Sequence, residues 1–264
     1  MDRSCCSKSR ILTTKSDALA YQSSLYSIFP LGDSAITIDL GNFIDEQRNM
    51  TALVLYEWLR AQSVPGVLDV IMAYSSVTVL YDPAALGTEE GYPRMEELLQ
   101  RAWKEAGAAV VLAPAGGDSR LWQLPVCYEG EYAPDIRSVA EQRGLSAGDV
   151  ITLHTAVTYR VYMIGFLPGF PYLGSVDERL RVSRKEQPVP VRAGGVGIAG
   201  MQTGIYTLNS PGGWPIIGRT PVRLFEPHSE SPVRIRSGDW VRFYPVTPAD
   251  FGSWSGVPDS KPFQ

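Results

Sequence analysis

The segment VRAGGVGIAGMQTGIYTLNSPGGWPIIGR, from Val191 to Arg219, carries eight of the chain's 25 glycines. A glycine inside regular structure costs roughly 0.5–1 kcal/mol relative to alanine, so eight cost up to about 4–8 kcal/mol. That sum rivals the net stability of a whole domain, roughly 5–15 kcal/mol. A chain that keeps them must use the missing side chains, either to turn its backbone or to let another group approach it. Short extended runs broken by Gly and Pro turns on either side read as a sheet-rich domain with a closed or nearly closed β-barrel.

The rest of the chain sets the frame for that domain. At 264 residues with 44% hydrophobic and 20% charged content, it has room for one large or two ordinary domains. The formal charge of −4 offers no basic surplus for a phosphate backbone, so nucleic acid is not an expected partner. Its longest apolar runs fall far short of the eighteen or so residues of a membrane helix, so no membrane association is expected. Residues 1–24, MDRSCCSKSRILTTKSDALAYQSS, lack the apolar core of a secretory signal and read as a disordered extension. Cys5 and Cys6 lie there, leaving Cys127 in the body of the chain as a small core residue. Three cysteines in that distribution form no disulfide framework, which points to a reducing cytoplasm.

Residues 25–112 read as a small α/β domain. Leu25 to Pro30 and the alternation Ile36, Ile38, Leu40 predict two strands. Asp45 caps a helix whose inner face is predicted to hold Met50, Leu53, Val54, Trp58 and Ala61. Two runs flanking Ser75 and Ser76 read as a hairpin. Met95, Leu98, Leu99, Ala102 and Ala106 then form the stripe of a second helix, with Gly107 as its stop. Residues 113–120 read as a linker because their Pro and Gly content breaks both periodicities. The second domain, 121–264, opens with a strand and a helix stopped by Gly144. Ser146 and Asp149 give the capping-box pattern of a shorter helix ending near His154.

Several common chemistries are excluded or disfavoured. Gly195 to Gly200 has the spacing G-x-G-x-x-G, but no long helix can follow it and no acidic residue occurs before Glu226, so it is not read as a dinucleotide site. No Walker-type phosphate loop and no G-x-S-x-G elbow occur. His154 and His228 stand far apart without cysteine partners at ligand spacing, so no metal site is read. His154 is either a capping or hydrogen-bonded histidine or a general acid or base in a cleft. Phe166, Phe170 and Tyr172 fall in GFLPGFPYLG, an irregular Gly/Pro loop that reads as the wall of an apolar pocket or as an aromatic plug of the barrel end. Arg219, following NSPGGW, is either an anion partner or a strut for loop carbonyls. The cluster RLRVSRKE, Arg179 to Glu186, reads as a solvated loop.

The blocks YRVYMIGFLPGFPYLG, AGGVGIAGMQTGIY and SPGGWPIIGRTP, with FPLGDSAITIDLG near the start, resemble the family that includes the B-type subunit of bacterial 5-oxoprolinase, the kinase inhibitor KipI and proteins labelled allophanate hydrolase subunit 1. The likeness covers residues 25 to 247. It implies an α+β N-terminal domain followed by a mainly β, cyclophilin-like barrel. Arg192, Ala193, Gly194 and Gly195 depart from a usual Pro-Ala-Gly-Ser run, and Thr207 from a usual proline.

Chemically, the resemblance implies ATP-dependent opening of the 5-oxoproline lactam to glutamate, performed with subunits A and C and using ATP and Mg²⁺. For that chemistry His154 and Arg219 are read as the catalytic residues, Arg219 as the anion partner. Phe166, Phe170, Tyr172, Gly197, Gln202, Thr203, Tyr206, Gly212, Gly213 and Trp214 are read as substrate-binding, the glycine segment supplying backbone donors to an oxyanion. The same aromatics would equally serve a module that inhibits a sensor histidine kinase, and a related urea-type amide hydrolase is a further alternative. An autonomous peptidyl-prolyl isomerase follows only from barrel analogy.

Overall fold

The computed structural model describes residues 25–87, 90–108, 119–256 and 258–263. The chain divides into two compact units, Met1–Leu112 and Ala113–Gln264. The expected extension, 1–24, and residues 113–118 of the expected linker lie outside the described residues.

In the first unit, β1 (Ser27–Pro30), β2 (Ala35–Asp39), β3 (Val67–Met72) and β4 (Ser76–Tyr81) form an antiparallel sheet in the order β1-β2-β4-β3. Helices α1 (Glu46–Ala61) and α3 (Gly91–Ala102) pack on it, and a short α2 (Pro83–Leu86) follows β4. Ile36, Ile38, Val77 and Val79 from the strands meet Leu55, Leu59, Met95 and Leu99 in a single apolar core. Full burial of each such side chain contributes about 1.5–3 kcal/mol.

Asp45 caps α1 as expected, accepting from the Arg48 N–H at 2.9 Å. The inner face of α1 differs from the expected one, because the buried residues are Asn49, Thr51, Ala52, Leu55 and Leu59. Thr51 and Ala52 let the helix come close to the sheet, and the Asn49 amide donates to the Tyr74 carbonyl at 2.9 Å, which fixes the rotation. Met50, Leu53, Val54 and Trp58 are half-buried at the flanks, and Ala61 is exposed. In α3 the expected stripe is buried through Ala102, but the chain continues as a π-helical turn from Trp103 to Gly107. Gly107 is the last residue of this turn, with Ala108 as its cap, and it is also a packing position. A Cβ there would lie 2.8 Å from the Trp103 ring and 3.0 Å from Leu55.

The second unit holds strands β5 to β14. These are β5 (Arg120–Val126), β6 (Thr158–Ile164), β7 (Pro171–Gly174), β8 (Val189–Val191), β9 (Gly195–Ala199), β10 (Gln202–Ile205), β11 (Ser210–Gly212), β12 (Ile216–Arg219), β13 (Trp240–Pro245) and β14 (Asp259–Pro262). Eight of them form one mixed sheet in the order β12-β9-β10-β7-β6-β13-β5-β14, while β8 and β11 pair separately. Strand β5 runs parallel to β13 and antiparallel to β14.

Of the closed or nearly closed barrel that is expected, the closed form is not made. Because β14 occupies the edge of β5 from Arg120 to Gln123, the other end of the sheet reaches β5 only beyond its last residue. There Cys127 and Arg219 exchange two backbone hydrogen bonds of 2.8 and 3.0 Å. Helices α4 (Ile136–Arg143) and α5 (Ala147–Thr155) add Val139, Ala140 and Val150 to the core of this sheet. The turn between them is as the sequence predicts. Gly144 is left-handed with φ 65°, its N–H bonding Ala140, and Ser146 and Asp149 form the reciprocal capping box. Asp239, 5% exposed, fastens β5 to the start of β13. Its carboxylate accepts from the Arg120 N–H at 3.0 Å, and from the Trp122 indole and the Arg236 N–H at 2.9 Å each.

Candidate functional site

Strands β9 and β10 explain the glycine-rich segment. In GVGIA the side chains alternate, Val196 and Ile198 entering the main core while Gly195, Gly197 and Ala199 face the other way. Across the ladder Gly197 is paired with Gly204, so the outer face of two adjacent strands has no side chains at its centre. The chain's own aromatics fill that trough. A Cβ on Gly204 would lie 2.8 Å from Phe170 Cζ, one on Gly197 3.0 Å from Trp214 Cβ, and one on Gly212 would strike the Tyr206 ring. Gly194 is closed off too, its φ of 86° pointing a Cβ at the Thr220 carbonyl.

The aromatic residues singled out from the sequence do come together. Phe170 stands 5.2 Å from Tyr206, 5.7 Å from Trp214 and 4.8 Å from Tyr172 between ring centroids, the first two edge-on. Phe170 and Tyr206 are each 1% exposed and Trp214 is 5% exposed, so these rings are a packed floor. Phe166 caps it at 61% exposure, edge-on to Phe170 and Tyr206, from a backbone with φ 66°. Tyr172 and Gln202 are half-buried, the latter paired with Gly174 and Ala199 in the sheet. Arg184, read from the sequence as part of a solvated loop, holds its guanidinium 5.9 Å from the centroid of the Trp214 ring. Burial raises the Tyr172 and Tyr206 hydroxyl pKa values, and the charge of Arg184 pulls both the other way.

His154 and Arg219 stand apart from this floor. His154 is completely buried and stacks on Phe243 at 4.7 Å. Its Nε2 lies 3.0 Å from the Thr203 hydroxyl, which itself donates to the Gly197 carbonyl at 2.9 Å. Thr203 must therefore accept from Nε2–H, leaving Nδ1 to accept from the Tyr128 hydroxyl at 2.8 Å. Burial lowers the imidazole pKa to about 3, so the ring is neutral at physiological pH. The hydrogen-bonded reading of His154 describes this place, and a cleft does not. Arg219 donates its Nε–H to the Ala193 carbonyl at 2.8 Å, as a strut for the loop would, while the guanidinium covers Phe251 at 5.6 Å.

The backbone N–H groups of Gly194, Gly195 and Gly200 bond to the carbonyls of Tyr206, Arg192 and Val182. These three N–H groups are not free to serve an oxyanion. Cys127 is buried, and burial raises its thiol pKa, as suits a core residue. A recess of about 200 Å³ lies between Pro221, Arg223, Glu226, Arg234 and Trp254, and none of the expected site residues lines it. The arrangement around Trp214 thus offers a ligand a low aromatic and cationic surface rather than a deep pocket. The signal for its glycines was the strict small–large alternation of GVGIA, which is the period of a strand with two unlike faces.

Residues 26–235 match the carboxyltransferase domain, subdomain C and D. The chain is 39% identical to the B-type subunit of 5-oxoprolinase from Bacillus subtilis (strain 168), over 87% of its own length and 96% of that protein's. It is 43% identical to the corresponding 5-oxoprolinase subunit of Escherichia coli O157:H7, over 71% and 84%. Among solved structures, the protein TTHA0988 superposes with a TM-score of 0.67 at 38% identity. The match takes in 80% of this chain and 40% of that longer one. Urea carboxylase of Kluyveromyces lactis shares the fold at a TM-score of 0.68 and 18% identity, over 89% of this chain and 24% of that one.

Proposed function

Because the chain belongs to the family of 5-oxoprolinase B-type subunits, we propose that it is one subunit of an ATP-dependent 5-oxoprolinase, which opens 5-oxo-L-proline to L-glutamate together with subunits A and C. The observation that carries this reading is the 39% identity to the Bacillus subtilis subunit across 96% of that protein. A lactam resists water because its nitrogen donates into the carbonyl. An enzyme that opens one must hold the ring, neutralise its carboxylate and keep bulk water away until the carbonyl is activated. Phe166, exposed and held edge-on over the buried rings of Phe170 and Tyr206, supplies an apolar wall for the ring. Such a low wall needs a second surface opposite it, which fits activity only within a complex. His154 and Arg219 act in this reading as supports of the wall, holding Thr203 and the Ala193 carbonyl.

The assignment of ATP and Mg²⁺ within the assembly starts from the described residues of this chain. No three His, Cys, Asp or Glu converge among them, and the sequence has no Walker-type loop. In this reading ATP and Mg²⁺ are used by the assembly as a whole. No helix among the described residues is long and apolar enough to cross a membrane. Reconstitution tests the proposal. The chain, its partner subunits, ATP, Mg²⁺ and 5-oxoproline are expected to yield glutamate, and omission of the chain to abolish it. Glutamate formed at the same rate without the chain overturns the reading.

One observation favours a second reading. Phe166 presents an apolar ring to solvent at the tip of a rigid loop, as a docking residue for a protein partner would. A module that inhibits a sensor histidine kinase would lower the kinase's autophosphorylation on titration, and Phe166→Ala would remove that effect.

A further inference from the structure

We propose that Arg184, rather than Arg219, receives the substrate's carboxylate, in the space beside Trp214 that the missing side chain of Gly213 leaves open. The inference rests on the subunit reading above and adds a residue to it. Two independent observations carry it.

The first concerns the cations. Arg219 gives its Nε–H to the Ala193 carbonyl, which removes that edge of the guanidinium from a two-bond grip on a carboxylate. Arg184 is exposed and, among the described residues, has no carboxylate within ion-pair distance. Its neighbour Lys185 is tied down, with Nζ 2.7 Å from Asp135 and its backbone N–H 2.7 Å from the Gly213 carbonyl. Asp135 in turn accepts from the Ile216 N–H at 2.6 Å. These bonds hold the backbone at Arg184 beside the turn that carries Trp214, so the guanidinium is placed over the ring. A guanidinium on an aromatic face keeps its outer N–H edge free for a planar carboxylate.

The second concerns Gly213. Most glycines between Arg192 and Arg219 are required by this chain's own atoms or by a turn. Gly213 has an ordinary φ, and a Cβ there would meet nothing closer than Lys185 O at 3.8 Å and Arg184 Cβ at 4.0 Å. The fold has room for a side chain at this point, and that room lies against Arg184, open to a group from outside. The charge of Arg184 also reaches the hydroxyls of Tyr172 and Tyr206 in the same floor.

The test uses the assembled enzyme. Arg184→Gln should raise the KM for 5-oxoproline about tenfold or more, the usual effect of losing a charge-assisted hydrogen bond, while kcat changes much less. Arg184→Lys should recover part of that loss. The wild-type preference for 5-oxoproline over its uncharged carboxamide, measured by competition, should shrink in Arg184→Gln and persist in Arg219→Gln. Gly213→Ala should raise KM with no change in melting temperature. If the wild-type assembly needs this chain for glutamate but Arg184→Gln keeps both KM and the preference for the charged ligand, the assignment falls and the subunit reading stands. If glutamate forms without the chain, both fall.

Discussion

The two units solve the same problem, covering a sheet, by different means. In the first, a four-stranded sheet meets two helices mainly through aliphatic side chains, with the buried amide of Asn49 setting the rotation of α1. In the second, buried polar groups and bare glycines set the fit. His154 links Tyr128 to Thr203 inside the core, Asp239 gathers three donors, and Phe170 and Trp214 lie where the Cβ atoms of Gly204 and Gly197 would be. An apolar core accepts many sequences of the right size, whereas an interlocked one specifies a single shape.

The contrast can be broken or sharpened by experiment. The largest effect should come from deleting volume in the first unit. Leu99→Ala is expected to cost about 2–5 kcal/mol by chemical denaturation, whereas Leu99→Met should cost less than about 1.5 kcal/mol.

Acid should act selectively on the second unit. The imidazole of His154 titrates near 3 when folded against an ordinary 6.5, so between those values the unfolded chain binds a proton that the native one does not. The stabilisation is complete above about pH 6.5 and declines by up to about 1.4 kcal/mol for each pH unit below it. Hydrogen exchange at pH 7 and pH 5 should show weaker protection in the second unit only, and His154→Gln should remove the difference. Equal loss in both units would refute this account of the histidine.

Adding one methyl comes next. Gly204→Ala deletes nothing, yet should cost about 1–3 kcal/mol because the Phe170 ring has nowhere to go. A melting temperature unchanged from wild type would show that the aromatic floor yields. Smallest of all is the exposed pair Arg192–Glu131, 2.9 Å long with side chains 71% and 67% exposed. Arg192→Ala should shift stability by less than about 1 kcal/mol.

What could be read in the sequence follows the same division. The strand alternation of Ile36 and Ile38, the cap at Asp45, the stop at Gly144 and the Ser146–Asp149 box are local chemistry, and each appears where the residues place it. The rotation of α1 was not legible, because it turns on one hydrogen bond from Asn49 to a carbonyl 25 residues away. The open ladder was not legible either, since only the late arrival of β14 at the edge of β5 decides it. At the site, the aromatics were identifiable from their irregular Gly/Pro setting. What the glycines admit was hidden, because it depends on rings from β7 and the turn before β12 meeting across two strands. Arg184 carried no local signal, and only the fold places it over Trp214.

The position of β5 has a consequence for how the polypeptide comes into being. Its two sheet neighbours, β13 and β14, are the last strands of the unit to leave the ribosome, although β5 itself emerges more than a hundred residues earlier. Until those strands are translated, both edges of β5 lack their native partners, so the second unit matures only once they have been made. A message truncated shortly before Trp240 would release a product with two exposed strand edges and a strong tendency to aggregate.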